Sequence, residues 1–276
     1  RALIDLSGGR TRQPVRSVLS IPEHGGRFAL MPAIGGDLMG VKLVTVYEGN
    51  RTLPTHQAVI QLLSARTGEP LVAMDGRLIT EMRTAVVSAL ATRLLARPDA
   101  QVLALLGSGV QARSHLRALR LVRSFGQVRV WSRTSENARS FAEKFGVTAF
   151  ATAESAVRGA DVVVSVSSVS EPMVRGAWLG EQTLVCAVGA VGPHMRELDD
   201  EAMRAAVVVE SREAAQRESG DLLGSGQTVY AELGELLAGT RPKPTTRTVF
   251  KSLGVAAEDL AAATLVWEQW QGGERD

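Results

Sequence analysis

The sequence predicts an α/β protein built on a doubly wound parallel sheet, with a second, discontinuous α+β domain. Three observations carry that expectation. From Gln101 onward the apolar runs "VLALL", "QVRVWS", "DVVVSVSS" and "TLVCAVGA" are separated by helical stretches, and regular β-α-β alternation of this kind builds a parallel sheet covered on both faces. Before about Pro98 the rhythm differs, with strands that alternate apolar and polar residues. The chain then closes on the Ala-rich amphipathic segment "VAAEDLAAATLVWEQW", read as packing back onto the first domain. The expected division is 1–98 with 250–276 for one domain and 99–249 for the other. A chain of 276 residues has room for two cores of ordinary size.

Within the first domain, "RFALMPAIGG" and "GVKLVTVYEGN" read as strands bounded by glycines. "AVIQLLSARTGEPLVAMDG" reads as a hairpin turning at "RTGEP". "LITEMRTAVVSALATRLLA" has helical periodicity, with Met82, Val86, Leu90 and Leu94 on one face, and stops before Pro98. In the second domain "VLALL" feeds a helix running to about Val122, and "QVRVWS" is the next strand. "TSENARSFAEKFG" is a helix capped by Thr134 or Ser135, and "AESAVRGA" is a short one. "RPKPTTRTVFKSLG" reads as a proline-punctuated link to the last helix.

Composition narrows the function. The net charge is +2, and the Lys and Arg residues are spread out among few aromatics, which argues against nucleic acid as a partner. Basic residues at chosen positions suit an anionic small molecule. Cys186, the single cysteine, lies within an apolar run and reads as packing. No run approaches the ~18 apolar residues of a membrane span, and no signal peptide is visible, so a cytoplasmic protein without a membrane partner is expected. The histidines are scattered without ligand spacing, so no metal is expected.

In "LLGSGVQARSHLRAL" a strand leads through Gly107 and Gly109 to Ala112 at the start of a helix. Gly107 permits a tight turn, Gly109 lets a pyrophosphate approach the backbone, and Ala112 lets the helix lie against the sheet. Helix amides and dipole favour the phosphates. The candidate cradle is Gly107, Ser108, Gly109, Val110, Gln111 and Ala112. After the second strand, in "VWSRTSE", stand Ser132, Arg133 and Thr134 where an NAD enzyme places an acid. An arginine there pairs with a 2′-phosphate, so NADPH is the expected cofactor. Val166, Ser167, Val188 and Gly189 are further candidate cofactor contacts.

For the substrate, Arg16, Lys42 and Arg83 stand out as cations in apolar settings. Lys42 interrupts an apolar strand, where an unpaired ammonium is costly. It either reaches solvent or faces an anion, and two arginines with a lysine suit a carboxylate. His56 in "LPTHQAV" either lines a substrate cleft or is a hydrogen-bonded structural histidine.

The segments "LPTHQAVIQLL", "AMDGRLITEMRTAVVSALAT", "LLGSGVQARSHLRAL", "VWSRTSENA", "VGAVGPHMRELDDE", "SREAAQRESGD" and "FKSLGVAAEDLAAA" together resemble the ornithine cyclodeaminase/μ-crystallin family. The likeness is greatest to its ketimine reductase branch. The resemblance implies a discontinuous substrate and dimerisation domain beside a Rossmann domain, with the active site between them, and a homodimer. It implies that Arg16, Lys42 and Arg83 are the substrate-carboxylate residues, with Lys42 also handling a proton. It places "FKSLG", with Lys251, Ser252 and Leu253, near the nicotinamide. The chain opens on Arg1, and the resemblance implies a helical segment before it.

One departure discriminates among activities. Cyclodeaminases place an aspartate where this chain has Val191. Valine neither takes a proton nor orients water, so deamination of ornithine is disfavoured. Reduction of a C=N bond asks mainly for positioning. The expected activity is NADPH-dependent reduction of cyclic imino acids, such as 1-piperideine-2-carboxylate or 1-pyrroline-2-carboxylate, to L-pipecolate or L-proline. Reductive amination of a 2-oxo acid is chemically related. His194 and Glu235 are secondary acid/base candidates. The rival enzymes are an alanine-type dehydrogenase and a cyclodeaminase. A rival of another class is a non-catalytic NADPH- and hormone-binding protein, which the presence of all three substrate cations disfavours.

Overall fold

The computed structural model describes residues 1–273. The chain divides into two compact units, Arg1–Arg83 with the segment from Gly254 on, and Thr84–Leu253. The division thus falls inside the helix Arg77–Leu95 and after Leu253, rather than at residues 98 and 249. An uninterrupted helix carries no proline or glycine to mark a boundary, so composition could not locate it.

The first unit holds an antiparallel sheet of β1 (Thr11–Arg12), β2 (Ser17–Ile21), β3 (Gly26–Gly35), β4 (Leu38–Tyr47), β5 (His56–Ser64) and β6 (Pro70–Asp75). The order is β1-β3-β4-β5-β6, and β2 also pairs with β3. The expected strands and the β5–β6 hairpin are all present. The C-terminal helix Ala256–Gly273 packs Ala256, Leu260 and Ala263 onto Met31, Ala33, Ile60 and Leu62. Gly40 makes room for that contact. A Cβ there would lie 2.8 Å from the Gln61 carbonyl oxygen and 3.3 Å from a Leu260 methyl.

The helix Arg77–Leu95 has the expected period but buries a different face. Met82 and Val86 are 56% and 55% exposed, whereas Thr84, Ala85, Val87, Ser88, Ala89, Ala91 and Thr92 are buried. Small residues allow close packing of a helix, and side-chain size alone misled the choice of face. No helix among the described residues is long and apolar enough to cross a membrane.

The second unit is a parallel sheet of β7 (Val102–Leu106), β8 (Gln127–Trp131), β9 (Thr148–Ala149), β10 (Val162–Ser165), β11 (Leu184–Ala187), β12 (Ala206–Val209), β13 (Val229–Glu232) and β14 (Thr248–Lys251). Its order is β13-β12-β14-β11-β10-β7-β8-β9. β10, β11 and β14 are buried at every residue, as strands covered on both faces are. Cys186 in β11 is fully buried, and burial pushes its thiol up to about 12, so it packs rather than reacts.

A third expectation is corrected. "RPKPTTRTVFKSLG" is not merely a link, because its "TVFK" forms β14, between β11 and β12 in the sheet interior. A four-residue strand after prolines gives no periodic signal. Its inclusion explains why the second unit runs to Leu253.

Candidate functional site

In the second unit, strand order reverses between β7 and β10, and a doubly wound sheet leaves a crevice at the carboxyl ends of such strands. A cleft of about 620 Å³ lies there, lined by Gly107, Ser108, Gly109, Val110, Ser132, Arg133, Val166 and Ser167 among others. Gly107 has φ +133°, and a Cβ on it would meet Val166 and Ser167 at 3.0–3.2 Å. Gly109 has open space where a Cβ would stand, and the helix Val110–Val122 starts directly after it. Ala112 is fully buried against the sheet, with Gln111 half-buried beside it.

This geometry fits a dinucleotide: a bare glycine at a helix N-terminus, lining an open cleft. The Ser108 hydroxyl donates to Ser132 Oγ at 3.1 Å, joining the ends of β7 and β8. Arg133 is exposed at the cleft, Lys144 also lines it, and no carboxylate is among the lining residues. Thr134 is the N-cap of the helix Ser135–Phe145, without a side-chain cap. Val188 and Gly189 follow β11.

In the first unit, β4 is paired so that Lys42 lies opposite Met31 on one side and Ile60 on the other. Cross-strand partners share a face, so Lys42 points into the core beneath the C-terminal helix. Its ammonium lies 2.6 Å from Asp259 Oδ2, and both side chains are 2% exposed. Arg83 donates to Asp259 Oδ1 and to Glu258 Oε2, each at 2.9 Å. Arg16 donates to the Gly254 carbonyl oxygen at 2.6 Å.

Burial and the positive fields of Arg83 and Arg16 bring Lys42 down to about 8, against the opposing pull of Asp259. Burial raises the Asp259 carboxyl, but Arg83 and Lys42 outweigh it and hold the group below its ordinary value. The fold therefore gathers the three cations read from the sequence into one electrostatic neighbourhood. The two carboxylates that order them were missed. They stand in "VAAEDLAAA", where adjacent acids opening an Ala-rich helix were the available signal.

The remaining candidates lie elsewhere. His56 starts β5 on the face of Ile60 but four residues along, and it is exposed, its Nδ1 3.1 Å from Thr55 Oγ1. His194 and Val191 are exposed in the segment after β11. Glu235 is held by the Arg212 fork at 2.9 and 2.6 Å and accepts from the Glu232 amide. The Arg212 hydrogen bond keeps its carboxyl below the ordinary range, and its bond to the Glu232 amide completes a capping box at the helix Leu233–Ala238.

Lys251 and Ser252, expected as cofactor contacts, turn their side chains into the protein. Lys251 binds the Ala190 carbonyl oxygen, Glu197 and Asp221 at 2.8–2.9 Å. Ser252 donates to Glu210 Oε1 at 2.6 Å, and the Leu253 amide donates to Glu210 Oε2 at 3.1 Å. Ser252 and Leu253 are buried. A strand ending inside the sheet has buried partners for its side chains, which sequence position did not reveal.

Known proteins resemble this chain in sequence and in fold. The model of the ornithine cyclodeaminase/mu-crystallin family matches residues 1–274. The mouse (Mus musculus) ketimine reductase mu-crystallin is 47% identical over 96% of this chain and 88% of its own length. The Thermococcus litoralis Delta(1)-pyrroline-2-carboxylate reductase, solved with NADH and L-proline, aligns with a TM-score of 0.93 at 34% identity, over 99% of this chain and 91% of that one. An archaeal alanine dehydrogenase dimer with bound NAD aligns with a TM-score of 0.91 at 32% identity, over 99% and 89%. With the family's model matched along essentially its full length, the chain belongs to the ornithine cyclodeaminase/mu-crystallin family.

Proposed function

We propose that this protein is an NADPH-dependent reductase of cyclic α-imino acids, with 1-piperideine-2-carboxylate and 1-pyrroline-2-carboxylate as the substrate class. The coarser statement, an oxidoreductase acting on C=N bonds with a nicotinamide cofactor, follows from the family and its reductase members. The observation that carries the finer reading is Lys42. It is a buried ammonium brought down to about 8, beside Arg83 and Arg16. A group of that acidity donates a proton near neutral pH, and the surrounding cations suit a substrate carboxylate.

In this reading Arg16 and Arg83 hold the substrate carboxylate, and Lys42 protonates the imine nitrogen or keeps it protonated. Asp259 holds Lys42 and Arg83 in place. NADPH, when bound, supplies the hydride for the imine carbon. Gly107, Ser108, Gly109, Val110 and Gln111 cradle its pyrophosphate, Ala112 seats the helix, and Ser132, Arg133 and Thr134 receive the adenosine end. The absence of a carboxylate from the cleft lining supports NADPH over NADH. Leu78, Met82 and Val86 form an exposed apolar row on one helix face, which supports a homodimer.

The test is NADPH oxidation followed against both cyclic imino acids, 2-oxo acids with ammonia or methylamine, and ornithine. Turnover of the cyclic imino acids is expected. Tight NADPH binding with no imine reduced would overturn the assignment, and turnover confined to 2-oxo acid with ammonia would favour the alanine-type dehydrogenase.

A further inference from the structure

Lys251 ends β14, level with Ala187 at the end of β11. Its ammonium lies 2.8 Å from the Ala190 carbonyl oxygen, 2.9 Å from Glu197 Oε1 and 2.9 Å from Asp221 Oδ2. The ammonium donates to the Ala190 carbonyl oxygen and to Glu197 and is ion-paired with Asp221, and all three side chains are fully buried. Glu197 in turn accepts from the amides of Gly189 and Ala190, each at 3.1 Å. Asp221 accepts from the amides of Glu197 and Leu198, each at 2.9 Å.

Stability alone is a poor account of this cluster. It holds two carboxylates against one ammonium in the dry interior, and apolar replacements of such groups are often neutral or stabilising. What the cluster does specifically is grip one turn, Gly189–Ala190, through two amides and a carbonyl. That turn presses on the segment after β10, because a Cβ on Gly189 would fall 2.1 Å from the Ser167 carbonyl oxygen. Ser167 lines the cleft, and its hydroxyl donates to Leu106 at the end of β7. In a doubly wound sheet the two halves of a dinucleotide lie on opposite sides of the reversal point. The adenosine side here is β7–β8, which leaves β10 and β11 to the nicotinamide half.

We propose that Lys251, Glu197 and Asp221 are positioning residues that set the Gly189–Ala190 turn, and through it Ser167, as the support of the nicotinamide half of the cofactor site. The inference rests on the cofactor reading above and assigns to Lys251 a role from behind the site instead of a contact within it. Glu197→Gln keeps size and shape but sets an amide NH₂ against one of the two backbone N–H groups it now accepts from, so the grip on the turn is weakened. Lys251→Met leaves two buried carboxylates facing each other.

The experiment measures dissociation constants of the full chain for NADPH and NADH, and for the adenosine-half fragments 2′,5′-ADP and AMP. For Glu197→Gln and Lys251→Met, weakening of the intact dinucleotide by at least about tenfold is expected, on the scale of one charge-assisted hydrogen bond. Fragment affinity stays within about twofold of wild type. Equal weakening of dinucleotide and fragment indicates a general structural role and overturns the proposal, as does unchanged dinucleotide binding. Hydrogen exchange on the unaltered protein gives a second measurement should both variants fail to fold. The Gly189 amide also bonds the Ser165 carbonyl oxygen, so the Ala190 amide is the reporter: it exchanges slowly without cofactor if the cluster holds it, and fast exchange overturns the proposal. A wild-type chain that binds neither NADPH nor NADH removes the cofactor reading and this inference with it.

Discussion

Lys42 Nζ and Asp259 Oδ2 lie 2.6 Å apart, and neither side chain is more than 2% exposed. The lysine comes from the middle of an antiparallel strand and the aspartate from the first turns of the C-terminal helix. Their pairing keeps a buried lysine charged near neutrality while burial and the nearby arginines bring it down to about 8. If Lys42 is the proton donor, kcat/KM for imine reduction falls as pH rises through about 8. Asp259→Asn removes the carboxylate that raises the Lys42 value, so the same fall shifts to lower pH. The pH profiles of the two proteins check this, and an unmoved profile removes Lys42 from proton transfer.

The same group makes a stability prediction of definite sign. Lys42 titrates near 8 in the fold and at its ordinary 10.5 when unfolded. Between these values the unfolded chain binds the extra proton, so folding stability rises with pH across that window. The contribution is about 3 kcal/mol in all, from one proton over the shift. Chemical denaturation at pH 7.5 and 10 captures most of it, with Lys42→Met expected to lack the increment.

Arg133 sits exposed at the cleft beside Ser132. Arg133→Ala should raise KM for NADPH by about 10- to 100-fold, the worth of a charged hydrogen bond to phosphate. KM for NADH should change little. Equal effects on both cofactors would reassign Arg133 to the general surface.

Arg16→Lys keeps the charge but loses the planar fork that matches a carboxylate. KM for the imino acid is expected to rise about tenfold, with KM for the cofactor unchanged. A rise in both would point to a disturbed fold around Gly254, to which Arg16 donates.

The exposed row Leu78, Met82 and Val86 predicts a self-association face. Met82→Glu places a charge in that row. Sedimentation should show a dimer for the parent chain and a weakened or monomeric state for the variant; an unaltered distribution would locate any interface elsewhere.

Much of the architecture was legible in local pattern. Continuous β-branched runs announced β10 and β11, alternation announced β3 to β6, and the glycine spacing at Gly107 and Gly109 announced the turn from β7 into the next helix, because each depends on near neighbours in sequence. β14 was not legible, since four residues after prolines carry no period and its place between β11 and β12 is a long-range pairing. The face of the helix Arg77–Leu95 was misread for a related reason. Periodicity identifies a helix, but what packs on it decides which face is buried.

The sequence by itself determined the alternating sheet, the glycine-marked strand–turn–helix from Gly107 to Ala112, the lack of an acid among Ser132, Arg133 and Thr134, and the presence of three cations in apolar surroundings. Tertiary structure alone decided the partners of those cations. Asp259 lies 217 residues beyond Lys42, and Glu197 and Asp221 precede Lys251 by 54 and 30. Residue type announces that a buried charge needs a counter-charge. Only the pairing register of β4 and the seating of the C-terminal helix, or of β14 in its sheet, brings the particular carboxylate within hydrogen-bond reach.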